Sequence, residues 1–346
     1  MAYTTIDNPE LHFQCKTYTG NGSTQSITLD GSEDMQPDFV WMANRGRSED
    51  KPIYDSVRGA TKAILSNSNA ASETKSAGLT SFNSDGFSLG SDSMANANND
   101  TMVAWCFKGG GSASSNSNGS ITSSVSANTT AGFSISTLDV GDTGNITFGH
   151  GLGAAPTFFW IKATSGTGGW VVYSLIVGNN KYLYLNSTDA AATSTSVWQN
   201  TAPTNTVIST NSSDMQDDRV VVCHAFTPIK GFSKFGSYTG NNNSDGPFVF
   251  LGFKPAFLMI KRSSDGTNSW EIRDNKRDTF NSADDRAFAD ASAADDADNE
   301  GVDFLSNGFK IKNNGAGGNA DGVTYIYVAF AEAPFVNSNG VPCNAR

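Results

Sequence analysis

Three stretches of this chain start on a proline and run straight into the same apolar pattern: "PDFVWM" from Pro37, "PTFFWIK" from Pro156 and "PAFLMIK" from Pro255. Each is followed by a second apolar run: "TMVAWCF" ends at Phe107, "VVVCHAF" at Phe226 and "TYIYVAF" at Phe330. The interval is 70 residues from Pro37 to Phe107, 70 from Pro156 to Phe226 and 75 from Pro255 to Phe330. Between the first two copies an offset of 119 also maps Tyr54 onto Tyr173, Lys62 onto Lys181 and Asn67 onto Asn186. A further element, "FNSDGFSLG" from Phe82, recurs as "FLSNGFKIK" from Phe304, with a degenerate version around Val207 and Ile208 in the middle copy. A unit written three times is the signature of a repeat architecture, and it restricts the fold to one that the same short module can build three times.

The module reads as β. Its closing run alternates two apolar faces, Val103, Trp105 and Phe107 on one and Met102, Ala104 and Cys106 on the other, as in a strand covered on both sides. Asp85-Gly86 and Asn307-Gly308, flanked by phenylalanines, are hairpin turn signals. Pro37, Pro156 and Pro255 open strands, where a missing N–H is tolerated. With 35 glycines and only 16% charged residues, short apolar runs lie among small polar ones, which suits strands joined by turns.

The expected fold is therefore all-β: three tandem β-sandwich-like modules with Gly/Asn/Ser-rich turns. The modules span 1–108, 133–230 and 231–336. Residues 109–132, almost without apolar side chains, read as a flexible or extended linker, and 337–346 as a tail ordered only if something holds it. Short helical turns are expected at "SVRGATKAILSN" and "SADDRAFADASAADDA". "YTGN" at Tyr18 and again at Tyr238 is the end of a module's opening strand and its turn.

A net charge of −11 argues against a phosphate backbone as partner, so no nucleic acid is expected. The best apolar run, Pro247 to Ile260, is too short to span a membrane and is broken by Lys254, so no membrane insertion is expected. The start, "MAYTTIDNPELHFQ", has neither the basic region nor the apolar core of a signal peptide, giving the expectation of a cytoplasmic product. Cys15, Cys106, Cys223 and Cys343 lack metal-ligand spacing and read as free thiols.

Residues that carry chemistry are few. His224 occupies a closing-strand position where the other copies have Trp105 and Val328, which is a packing position. His150 lies in a turn and His12 precedes the first module. No nucleophile elbow, phosphate loop or paired-histidine motif occurs. Asp296, Asp298 and Glu300 followed by Gly301 resemble the start of a calcium loop, but Asn307 stands at the twelfth position, where a glutamate is required. A solvated acidic loop is the expectation there, with no cofactor. Asp55 and Arg58, like Asp274 and Arg277, place an acid and an arginine three apart in two copies; the middle copy has Ser174 and Val177. A local ion pair fixing a loop is one reading, a contact between modules or subunits the other. Tyr54, Trp170 and Tyr173 are candidates either for stacking on sugars or for core packing.

The strings "YTGNG", "PDFVWMANR", "YDSVRGATKAILSN", "LTSFNSDGFSLGS", "MVAWCFKGG", "GHGLGAAP" and "GFKIKNNGAGGNADGVTYIYVAFAEAPF" together resemble a repeat family of tailed bacteriophages, common in marine phages of cyanobacteria and other abundant ocean bacteria. The resemblance covers nearly the whole chain. It implies a virion structural or tail-fibre-like protein, assembled in the host cytoplasm, and carries no catalytic residue over. The expected function is a non-enzymatic virion component exposed on the particle, a tail fibre, appendage or head decoration. It would assemble through β-module faces, with 1–108 as the docking end and the other two modules projecting beyond the linker. Expected partners are other virion proteins and copies of itself, most simply as a trimer. The alternatives are a carbohydrate-binding protein recognising host surface polysaccharide and, behind it, a glycan-degrading enzyme using loop acids such as Asp85, Asp274 or Asp303.

Overall fold

The three copies follow one sheet path in the computed structural model, which describes residues 3–141, 144–215 and 219–344, without the side chains of 298–300. In the first module the opening strand (Phe13–Thr19) pairs with the closing strand (Thr101–Phe107), which pairs with the proline-led strand (Phe39–Asn44), followed by Pro52–Asp55 and Lys62–Leu65. The second repeats this order with Phe133–Asp139, Val220–Phe226, Phe158–Ala163, Trp170–Ser174 and Lys181–Tyr184. The third does so with Ser233–Thr239, Thr324–Pro334, Phe253–Arg262, Glu271–Asp274 and Ala283–Phe288. All these pairings are antiparallel, and the register repeats: Phe39, Phe158 and Phe257 lie opposite Phe107, Phe226 and Phe330.

Each closing strand is covered on both faces. Ala104 and Cys106 pack outward beneath a small sheet that brings Ile27, Phe87 and Leu89. Val221, Cys223 and Ala225 do the same beneath the antiparallel pair Asn145–Gly149 and Val207–Asn211, so the degenerate middle element still forms its outer layer. The other faces turn inward and merge. Phe107, Phe226 and Phe330 meet one another with ring centroids 5.9, 4.8 and 5.7 Å apart, and Phe13, Phe133 and Phe257 surround them. Stacking three aromatic strand ends at one point removes from water the surface that a lone module would expose.

The junctions close a ring. Glu49 N–H donates to Ser292 O, Gly168 N–H to Asn69 O and Asn268 N–H to Thr188 O, so the first module binds the third, the second the first and the third the second. The reciprocal bonds also repeat: Asp295 to Arg45 O, Ser72 to Thr164 O and Ala191 to Ser263 O. The chain is a pseudo-threefold ring around one core rather than a docking module with two others projecting from it.

Residues 109–132 differ from the expectation of a linker. Ser114–Asn116 and Ser123–Asn128 add two strands to the middle module's sheet, outside its opening strand. Hydroxyls hold them where apolar side chains are scarce: Ser126 Oγ accepts from Gly110 N–H and donates to Gly111 O, and Ser123 Oγ donates to Gly149 O at 2.7 Å. The two expected helical turns hold the strands Lys62–Leu65 and Ala283–Phe288 instead, because Ile64 and Ala283 are needed in the core. In the tail, Ser338 bonds Asp7 and Cys343 N–H reaches Phe335 O.

"YTGN" is a clamp. Tyr18 OH donates to Ala95 O, and the buried Asn96 accepts from Asn21 N–H while its Nδ2 donates to Ser23 O and Gly90 O. In the third module Tyr238 OH donates to Gly318 O, Asn319 accepts from Asn241 N–H, and its Nδ2 donates to Asn243 O and Asn313 O. A Cβ on Gly20 or Gly240 would lie 2.1 Å from the carbonyl of Ala97 or Ala320, so only glycine fits there.

Candidate functional site

The acid–arginine pairs lie at the module junctions. Asp55 ends the fourth strand of the first module and Arg58 follows in the turn, its Nε 2.5 Å from Asp55 Oδ2. Asp55 is fully buried, and the same oxygen faces Nε2 of His224, from the second module, at 3.4 Å. His224 Nδ1 accepts the indole N–H of Trp160 at 2.8 Å, so its proton is on Nε2. Burial pushes the His224 imidazole below its ordinary value against the pull of Asp55. For Asp55, burial alone would raise the carboxyl; Arg58 and His224 outweigh it and hold it below the usual carboxylate range.

One junction on, the arrangement recurs with different residues. Trp105, at the closing-strand position of His224, donates its indole N–H to Asp274 of the third module at 2.9 Å. Asp274 pairs with Arg277 at 2.7 Å, and Arg277 lies over the Trp105 ring and reaches Asp295 at 3.2 Å. Burial would raise Asp274, but Arg277, its backbone N–H and Trp105 hold the carboxyl low. At the remaining junction the corresponding residues are Ser174, Val177 and Val328, none of them charged.

Three lysines complete the scheme. Lys162 Nζ donates to Asn69 O and Ala70 O of the first module, Lys261 Nζ to Thr188 O of the second, and Lys51 Nζ to Ala293 O of the third. Burial pulls all three down to about 8. Lys162 and Lys261 lie opposite or next to tryptophans, Trp170 and Trp270, whose indoles donate to Leu65 O and Tyr184 O of the neighbouring module. In the first module Ala43 replaces the strand lysine and Lys51 the tryptophan, so the ammonium arrives from the adjacent strand.

Six of the seven candidate residues are thus accounted for inside the ring, and the seventh, Arg58, pairs with Asp55 there while also lining a cleft at the junction. Tyr54 is buried beneath the first module's outer layer, Tyr173 stacks on Phe159 at 4.7 Å and donates to Asn179, and Trp170 spans a junction. Asp55, Arg58, Asp274 and Arg277 form the polar core of two junctions. Stacking on a surface sugar requires exposed rings, and Tyr54, Trp170 and Tyr173 are each 0% exposed. Chemically, Asp55 and His224 form an acid–imidazole pair whose two ring nitrogens are both committed, to Asp55 and Trp160, and both side chains are 0% exposed.

The acidic segment is a strand, Asp296–Leu305, rather than a loop, and Asp296 pairs with Arg286 at 2.9 Å. The side chains of Asp298 and Glu300 lie outside the described residues. His150 is buried, bonded through Nε2 to Thr204 O and through Nδ1 to Leu152 N–H, and His12 Nδ1 lies 3.2 Å from Asn128. The junction lysines escaped the sequence reading, although the recurrence of a lysine closing an apolar strand at Lys162 and Lys261 was a visible signal.

Comparison with the curated proteins finds no match. The model of a family described as a domain of unknown function, DUF7483, matches residues 8–334, so the matched unit takes in all three modules of the ring, and the chain belongs to that family.

Proposed function

We propose that the chain is a non-enzymatic structural protein of a bacteriophage virion, exposed on the particle as an appendage or decoration and acting as a rigid block. The observation that carries this reading is the use made of its charged residues: Asp55, Asp274, Arg277 and the three junction lysines are spent on joining modules. Burying so many charges is costly unless each is paired, and the return is one defined arrangement of the three modules. The motif resemblance supplies the setting. Because the inner faces are consumed within the ring, contacts with other virion proteins come from outer layers and sheet edges, and the threefold arrangement needs no second or third chain.

Mass spectrometry of purified particles, with copy number, tests this. A fixed stoichiometry per virion is expected; complete absence from particles would end the proposal. A second reading, recognition of host surface polysaccharide, is favoured by one specific feature, an open cleft of about 370 Å³ between the first and second modules.

A further inference from the structure

We infer that the cleft between the first and second modules binds an acidic saccharide, with Arg58 and Lys62 receiving its oxyanion; this rests on the polysaccharide reading and not on the virion assignment. The cleft is lined by Arg58, Lys62, Ser72, Thr137, Thr164 and Ser165, together with Val57 and Val220, and among the described residues no carboxylate lines it. That is notable on a chain of net charge −11, where acids outnumber bases 34 to 23.

The other junctions show what the cleft lacks. The backbone bonds from Ser72 to Thr164 and from Asp295 to Arg45 are the same bond at two junctions, so Ser72 corresponds to Asp295 and Thr164 to Arg45. Between the third and first modules, the Asp295 carboxylate lies between Arg277 at 3.2 Å and Arg45 at 2.8 Å, while Arg45 also reaches Asp285 at 2.7 Å. Between the first and second modules, the arginine remains as Arg58, but its Nη1 meets only the Ser72 hydroxyl at 3.3 Å and the Lys62 carbonyl at 2.9 Å. The carboxylate has become a serine, and the arginine that packed against it a threonine. The slot that a carboxylate of the chain itself fills at one junction is thus open at the next. At the remaining junction Val177 stands for Arg58 and Ala191 for Ser72, so the guanidinium is missing there and Lys181, which corresponds to Lys62, has no arginine beside it.

The rest of the lining fits a sugar better than a free ion. Four hydroxyls line the cleft; those of Ser72 and Thr164 donate to Ala63 O and Val220 O and so present acceptors to ring hydroxyls, and Val57 and Val220, the latter 41% exposed, offer apolar surface to a pyranose face. A volume of about 370 Å³ exceeds what a bare oxyanion occupies. Carboxylate and sulfate share the recognition chemistry, charge-assisted hydrogen bonds to a guanidinium and an ammonium.

The test is calorimetric titration of the full chain at low ionic strength with four probes: an oligogalacturonate, a sulfated oligosaccharide, a neutral oligosaccharide of the same length and inorganic sulfate. Binding of one or both acidic oligosaccharides is expected, tighter than free sulfate, with none to the neutral chain; the tighter of the two names the oxyanion. Ser72→Asp, which supplies the carboxylate Asp295 supplies elsewhere, should weaken binding about tenfold or more, and Lys62→Gln several-fold. The Lys62 variant keeps the test decisive if Ser72→Asp does not fold. Undiminished binding in both variants, or free sulfate matching the oligosaccharides, overturns this site alone. No binding to any oligosaccharide, or equal binding of the neutral one, overturns the polysaccharide reading with it.

Discussion

Trp105 of the first module donates its indole N–H to Asp274 of the third across 2.9 Å, and both side chains are buried. Without Asp274 the Trp105 indole N–H would be stranded, and Arg277 depends on the same carboxylate. Replacing Asp274 with Ala should cost about 3–5 kcal/mol, because it leaves a buried guanidinium short of its counter-charge. The double variant Asp274→Ser with Arg277→Val, which copies Ser174 and Val177, removes the charge along with its partner and should be less destabilised than the single one. Urea unfolding of both decides it: a double variant as unstable as Asp274→Ala would mean that the charges are not coupled.

Lys162 offers a second check on the junctions. Its ammonium meets three carbonyls, of Asn69, Ala70 and Ala163, two of them on the neighbouring module. Lys162→Met keeps the stem's volume but strands those acceptors, and a loss of about 2–3 kcal/mol is expected in the same unfolding assay. In the native protein Lys51, Lys162 and Lys261 should be the slowest lysines to acylate at pH 8.5, although burial brings each down to about 8, because reagent cannot reach them. Peptide mass spectrometry of a short labelling pulse reads this directly.

Stability should fall with acid well before the carboxylates titrate. Burial lowers His150 to about 4, and also lowers His224 and His12, from an ordinary value of 6.5. As pH drops through 6.5 the unfolded chain takes up protons that the fold refuses, so the histidines' contribution is complete above 6.5 and is lost toward pH 4. For His150 alone this is about 2–3 kcal/mol. Asp55 and Asp274 are also held low, so their contribution persists at pH 4 and is lost only below the usual carboxylate range. Melting temperatures from pH 7.5 to 4 test the window, and His150→Gln should flatten the slope.

What the sequence could say about this molecule followed from its repetition. Phe107, Phe226 and Phe330 were legible as equivalent strand ends, and Asp55 and Asp274 as equivalent acids, because identical positions show up under a constant offset. That the three phenylalanines touch was not legible, since one offset fits beads on a string as well as a ring. The junction partners were hidden for a related reason. Asp55 meets His224 and Asp274 meets Trp105, so the same position bears different chemistry in each copy, and similarity between copies erases the signal. Ser72 and Thr164, which shape the open cleft, are small polar residues in a chain full of them.

Residues 109–132 show the limit from the other side, and they yield a prediction. Composition pointed to a spacer, yet Ser123–Asn128 lies between two other strands in the sheet. Backbone amides there should exchange hydrogen as slowly as those of Phe133–Asp139, over hours where a free linker exchanges in seconds. Fast exchange throughout 109–132 would show that hydroxyl bonding does not hold the strands.

Asn96 and Asn319 hold the two "YTGN" turns by the same four contacts, accepting the backbone N–H of Asn21 or Asn241 and donating to that same residue's side-chain oxygen and to two carbonyls. Both are completely buried, so truncation to Ala strands the buried carbonyls of Gly90 and Asn313 and opens the bonds to the turn itself. Each variant should lose about 2–4 kcal/mol, since several buried bonds go at once. The loss should differ in reach from that of a junction variant. Asn96 ties its turn to the short helix Ser93–Asn96 and the first module's outer layer, so Asn96→Ala should raise exchange in 20–27 and 86–97 before the central strands respond. If exchange rises uniformly across the ring, the clamp is part of the global unfolding unit, and the outer layer is no separate stage of it.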